Sequence, residues 1–490
     1  MKKLSLLLAF CLLTLFSNEA QAFNFHMNFG FNSRQAPTTA AFIPANNAIV
    51  AKGGYTSVHP NNSGYMQTAR RSVIVVGRQP VKSIRLIYWN GYLNHGEFSN
   101  ANPITIEAAL EQISPTAKYV TVTFNAAANV TIPSGQWAVS DPIYPAAFGL
   151  NVFPAGWGSN FSAAVRTGMT LSSTSDKWAS AEPNFQEIFN NQNNGTTRWI
   201  STALVPSQIQ AAGPFTTPGT ASNSYGDFAM MPSAIIGEWA GTPDVSLFLS
   251  GDSINYGYYD NQDNGSLGGG YVVNGIRNVN GGQIPFVHVA KPSEAASDWP
   301  VGGAVYRKWL MQFATHYQDD YGTNDFQANK TAAQTLAAKQ VIWADFRQYG
   351  KYPRHIANDN VIPRATSTNN WSAPTDQTPV ASSVVGGPRD QLNASITPLI
   401  GQSNGPDEVF DINSYCRDPN ASYSDRWVSN GTSKYGTPDG THPSATIHSL
   451  ASSPYTTMAA GWTVGVPAND NGASSTSITA DSILLTADKQ

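Results

Sequence analysis

Between residues 47 and 239 the apolar positions recur at every second residue over short runs. Ile84, Leu86 and Tyr88 fall on one face of the segment 84–88. Val120, Val122 and Phe124 alternate with Tyr119, Thr121 and Thr123. A strand turns successive side chains to opposite faces, so a period of two in β-branched and aromatic residues, bounded by Asn, Gly and Pro, predicts strands. Residues 72–76, 104–109, 129–132 and 163–171 have the same character. Short strands joined by polar loops predict a sandwich of antiparallel sheets.

After Pro243 the pattern changes. Residues 245–249 and 284–290 are short, mainly apolar runs, as expected of strands buried on both faces of a parallel sheet. Val301, Val305 and Trp309 recur at helical spacing within 294–316, and Leu336, Trp343 and Phe346 do so within 329–349. Strands alternating with helices predict right-handed βαβ units and an α/β fold, with helices covering both faces of the sheet. The expected division is a β-rich domain over 23–240 and an α/β domain over 241–490. The Ser/Thr/Ala-rich stretch from Ala468 fits neither pattern.

The first 22 residues read as an export signal. Lys2 and Lys3 precede an apolar run over 4–16, and Ala20-Gln21-Ala22 supplies a small-residue cleavage site before Phe23. Thirteen residues, interrupted by Ser5 and Thr14, are too few to span a bilayer, which takes about 20; no later stretch is long and apolar enough either. The expected location is therefore periplasmic or extracellular. Cys11 leaves with the signal, so Cys416 has no partner in the chain and is expected to be buried and inert.

Composition removes other classes. Only 12% of residues are charged but 41% are hydrophobic, a balance that excludes a disordered chain. The formal charge of -4 and the absence of any basic run exclude nucleic acid as a partner. Residues 260–265 resemble a calcium loop, but Gln262 occupies a ligand position and Tyr271 stands where the bidentate Glu belongs. Residues 265–270 lack the G-K-[ST] ending of a phosphate loop. No two histidines have zinc-ligand spacing. No metal or cofactor is expected.

Three motifs remain in the second half. Gly251-Asp252-Ser253 follows the first apolar run, Gly322-Thr323-Asn324-Asp325 follows the Trp309 helix, and Asp439-Gly440-Thr441-His442 comes later. A serine just beyond a parallel strand sits where open α/β sheets bind ligands, and its hydroxyl attacks only when a base takes the proton. Asp439 lies three residues before His442, close enough on a turn to orient the imidazole toward Ser253. Asn324 offers an amide donor to a developing oxyanion.

In that order these blocks resemble the SGNH, or GDSL, superfamily of serine esterases and lipases over residues 232–449. The resemblance implies a three-layer α/β/α, flavodoxin-like fold, with Ser253 as nucleophile, His442 as base and Asp439 as its partner. It also implies an oxyanion hole made by the Ser253 N–H, a block II N–H and the Asn324 side chain. Here the sequence departs from the family, which has glycine in block II; the best match is Ser293. Asp325 is expected to be structural, and His288 and His316 to be core or loop residues. The expected activity is hydrolysis of short-chain acyl esters, with an acylated polysaccharide as a candidate substrate. An O-acyltransferase with the same triad and a non-catalytic carbohydrate-binding or adhesion protein stay open as alternatives. Oligomeric state cannot be read from the sequence.

Overall fold

The apolar run that begins at Val245 becomes the middle of a parallel sheet. Strand β1 is Leu247–Ser250, buried at all four positions. It lies between β2 (Phe286–His288) and β3 (His316–Asp319). β4 (His355–Asp359) adds to β3 and β5 (Glu408–Phe410) to β4, every pair parallel. The order β2-β1-β3-β4-β5 is doubly wound. The chain leaves β1 in one direction, then passes back across it, and right-handed crossovers send the helices of the two halves to opposite faces.

The computed structural model describes residues 43–52, 54–57, 59–156, 162–180, 198–213, 215–216, 221–222, 229–260 and 269–464. The expected signal, residues 261–265 of the rejected calcium loop, and the stretch from Ala468 lie outside them. Among the helices that accompany the parallel sheet are α1 (Gly270–Ile276), α2 (Val305–Met311), α3 (Thr323–Gln327), α4 (Ala332–Tyr349), α5 (Pro388–Ile396) and α6 (Ala445–Ala460). α1 packs on α6, while α4 packs on α2 and α5. Thr331 caps α4 by accepting from the Gln334 N–H at 3.2 Å, and the Gln334 side chain reaches back to the Thr331 N–H at 2.9 Å, a capping box. The helix expected over 294–316 is shorter than its spacing suggested. Gly302 and Gly303 take φ values of 73° and 82°, so Val301 sits in a preceding turn and regular helix begins at Val305.

The first half forms antiparallel sheets. One runs 47–49, 234–239, 81–89, 137–139; the other has eight strands, among them 67–76, 104–114, 162–170 and 198–201. Inward residues of both sheets, including Leu86, Tyr88, Ile106, Leu110 and Val165, share one apolar cluster.

The two halves are stitched together by backbone as well as side chains. Gly54–Tyr55 pairs in parallel with β2 and extends that sheet to six strands. The Ile49 N–H donates to the Phe313 carbonyl at 2.9 Å, and the Ser246 hydroxyl to the Ile49 carbonyl at 2.7 Å. A second apolar cluster holds Ile49, Trp89 and Trp137 together with Leu247, Tyr306 and Trp309. Trp89 stacks on Tyr306 with ring centres 4.5 Å apart. The described residues all fall in one compact unit. Among the described residues no helix is long and apolar enough to cross a membrane. Cys416 is buried and free, and burial pushes its thiol well above the ordinary range.

Candidate active site

Ser253 lies three residues past the end of β1, and Asn324 stands in α3, just past β3. These strand ends border the crevice where the sheet reverses direction, the usual ligand position in such sheets. Ser253 opens a tight helical turn in which the Tyr256 N–H donates to the Asp252 carbonyl at 3.0 Å and the Tyr258 N–H to the Ser253 carbonyl at 3.1 Å. The hydroxyl-bearing residue is 7% exposed.

His442 arrives on the loop before α6. Its Nε2 is 2.8 Å from Ser253 Oγ, and its Nδ1 is 2.7 Å from Asp439 Oδ2. The other Asp439 oxygen accepts the N–H groups of Thr441 at 2.8 Å and His442 at 2.9 Å. One carboxylate thus folds the turn and orients the ring, which is why a three-residue spacing suffices. Burial alone would raise the Asp439 pKa, but the His442 hydrogen bond, its charge and the backbone donors hold it below the usual carboxylate range.

Gly440 makes this turn possible. Its φ is 82°, and a Cβ there would lie 1.9 Å from the Ala365 carbonyl oxygen. Its own carbonyl accepts from the Ala365 N–H and the Trp427 indole, each at 3.0 Å. Tyr258 stacks on the His442 ring at 5.3 Å. Tyr259, 41% exposed and with a φ of 61°, lies 5.6 Å from that ring on the solvent side.

The expected oxyanion donors differ in availability. Among the described residues the N–H groups of Ser253 and Ser293 have no protein acceptor. Ser293 has a φ of 68°, the left-handed conformation that glycine adopts without strain, which accounts for a glycine preference at this position. Asn324 is more committed. Its Nδ2 donates to Asp252 Oδ2 at 3.1 Å and to the Glu294 carbonyl at 3.2 Å, so both amide hydrogens already have acceptors, and donation to a third oxygen requires sharing one of them. Asp252 is fully buried; burial pushes it up to about 7, against the lowering pull of the Ile254 N–H and of His442. Asp325 is structural as expected, accepting from the Ala296 N–H at 2.8 Å and the Ser297 N–H at 3.2 Å.

Sequence reasoning missed what holds the Ser293 segment. Glu294 is fully buried and accepts from Arg307 at 3.0 Å, from the Tyr321 hydroxyl at 2.9 Å and from the Gly96 N–H at 3.0 Å. Arg307 is also paired with Glu97 at 3.3 Å, and Glu97 accepts the N–H groups of Tyr306 and Arg307. Gly96 and Glu97 belong to the first half of the chain, so the β-rich region supplies part of the support for a candidate oxyanion donor. The acidic residue directly after the block II position was the available signal. His288 and His316 are core residues, and burial lowers both, His288 to about 4. Among the described residues no three or more Asp, Glu, His or Cys side chains cluster as metal ligands.

No family model and no curated protein matches the chain. Solved structures do. The chain is similar to G-D-S-L lipolytic proteins. A member of that family from Veillonella parvula is 13% identical, over 44% of this chain and 97% of its own, with a TM-score of 0.30. An acetylxylan esterase from Geobacillus stearothermophilus is 14% identical, over 46% of this chain and 98% of its own, with a TM-score of 0.29. A Bacillus subtilis protein is 12% identical, over 79% of each chain, with a TM-score of 0.32. At such scores the likeness carries no argument about chemistry, which rests on the contacts above.

Proposed function

We propose that this chain is an exported serine esterase of the SGNH type, acting on short-chain acyl esters, with O-acetylated carbohydrate as the candidate substrate. Residues 1–22 would direct export to the periplasm or beyond. Residues 23–240 would be the β-rich domain and 241–490 the three-layer, flavodoxin-like hydrolase domain. The observation that carries the proposal is a single imidazole within 2.8 Å of the Ser253 hydroxyl and 2.7 Å of the Asp439 carboxylate.

In the first half-reaction, Ser253 Oγ attacks the ester carbonyl carbon as its proton passes to His442 Nε2. Asp439 accepts the Nδ1–H, fixing the tautomer and balancing the imidazolium. The oxyanion forms against the N–H groups of Ser253 and Ser293, with Asn324 sharing one amide hydrogen. Collapse of the intermediate breaks the ester C–O bond, and His442 Nε2–H protonates the leaving alcohol. Water then repeats the sequence on the acyl-enzyme and releases the acid.

The test is active-site labelling with a fluorophosphonate, alongside turnover of p-nitrophenyl acetate. Wild-type protein should take one label at Ser253 and release acetate, and Ser253→Ala should do neither. An unlabelled wild-type protein overturns the proposal in favour of a carbohydrate-binding role. Acetyl transfer to added sugar at the expense of acetate release would make it an acyltransferase with the same residues.

A further inference from the structure

A cavity of about 460 Å³ lies between α3 and the chain that follows β4, lined in part by Phe326, Lys330, Arg364, Ser382 and Gln391. Its volume suits a small organic group. The location ties it to the site. Phe326 lies two residues past Asn324 on α3, and Arg364 precedes Ala365, whose N–H is bonded to Gly440 in the Asp439–His442 turn. The Arg364 guanidinium feels the charges of both Asp252 and Asp439.

The charges at this cavity are one-sided. Lys330 and Arg364 are its only charged lining residues, in a chain where acids outnumber bases 32 to 28. Among the described residues, neither side-chain head makes a hydrogen bond or an ion pair, and Arg364 Nε is buried without any partner. Arg389 and Arg426 also leave one buried nitrogen without a partner, but each, like Arg307, pairs other nitrogens with a carboxylate or carbonyl. A buried guanidinium N–H left without an acceptor costs free energy unless a ligand supplies one, and the planar fork matches a carboxylate.

We propose that this cavity binds an anionic group of the ester substrate, a carboxylate by preference, through Arg364 and Lys330. This rests on the esterase proposal and narrows its substrate to acidic esters, of which an O-acylated uronate polymer is the carbohydrate form.

The experiment compares kcat/KM for wild type and the double variant Arg364→Gln/Lys330→Gln on matched esters. Acetylated polygalacturonate against acetylated xylan places the charge on the alcohol side; p-nitrophenyl hemisuccinate against p-nitrophenyl acetate places it on the acyl side. We expect the acidic-to-neutral ratio of one pair to fall about tenfold or more in the variant, mainly through KM, and the pair that responds locates the charge. Ratios unchanged in both pairs overturn the proposal. If the double variant does not fold, Lys330→Gln alone and the loss of wild-type preference with added salt give the same readings. Calorimetric binding of polygalacturonate and xylan to Ser253→Ala separates the two proposals. Charge-selective binding without fluorophosphonate labelling of wild type leaves the cavity standing and the esterase fallen; labelling without such selectivity does the reverse.

Discussion

Replacing Gly440 with alanine tests whether the Asp439–His442 turn governs the reaction geometry. Two costs follow from the structure. A non-glycine residue at a φ of 82° loses about 1–2 kcal/mol. The new Cβ would also sit 1.9 Å from the Ala365 oxygen and 3.0 Å from Trp371 Cζ2, far inside carbon–oxygen contact, so the turn must move by roughly 1 Å. A displacement of that size at a reacting group costs about 10² in rate. Gly431 supplies the control: its φ is 87°, yet nothing lies within 4 Å of an added Cβ. Gly431→Ala therefore carries the backbone cost without the displacement. Both variants should melt a few degrees low, but only Gly440→Ala should lose about a hundredfold in kcat on p-nitrophenyl acetate. Equal kcat in the two variants would refute the geometric argument.

Asn324→Ala removes the shared amide donor and should lower kcat by about 10²–10³; unchanged turnover would leave the oxyanion to the two backbone donors. Asp252 is pushed up to about 7 in the fold against about 3.9 unfolded. Between those values the native protein holds a proton that the unfolded chain releases, so stability falls as pH rises through that window. In urea titrations Asp252→Asn should have a smaller decline from pH 4 to 7 than wild type, and identical slopes would exclude Asp252 as a source. Glu97→Ala leaves Arg307 with only Glu294 as its carboxylate partner, which should destabilise the protein by about 3–5 kcal/mol in chemical denaturation and lower kcat through Ser293; a stable variant with full turnover would detach the β-rich region from the site.

Much of this was legible in the chain because the information is local. The strand at 129–132 is where alternation placed it, and α4 has its capping residues written at Thr331 and Gln334. The Asp439 and His442 side chains meet because a glycine turn and a three-residue spacing carry their own geometry; Ser253, 189 residues from His442, was legible only through its motif just past a parallel strand. What escaped is non-local or polar where apolar residues are expected. β3 is buried throughout yet reads His-Tyr-Gln-Asp, and β4 includes Asn358 and Asp359; such strands have no hydrophobic signature, and the partners that some of their polar groups do find come from elsewhere in the chain, as Trp343 and Lys339 do for Asp319. The Gly96–Glu294 contact spans 198 residues, beyond any pattern in a single sequence. Arg364 lies in no motif.

The short strand at Gly54–Tyr55 bears on how this protein can be taken apart. A chain trimmed to begin at residue 241 would strip the outer neighbour from β2 and leave its row of amides and carbonyls open, an invitation to stack against another copy. It would also discard Gly96 and Glu97, so the half that carries Ser253 and His442 could not be expected to keep its shape in isolation. The two halves are better regarded as interdependent parts of one body than as interchangeable modules.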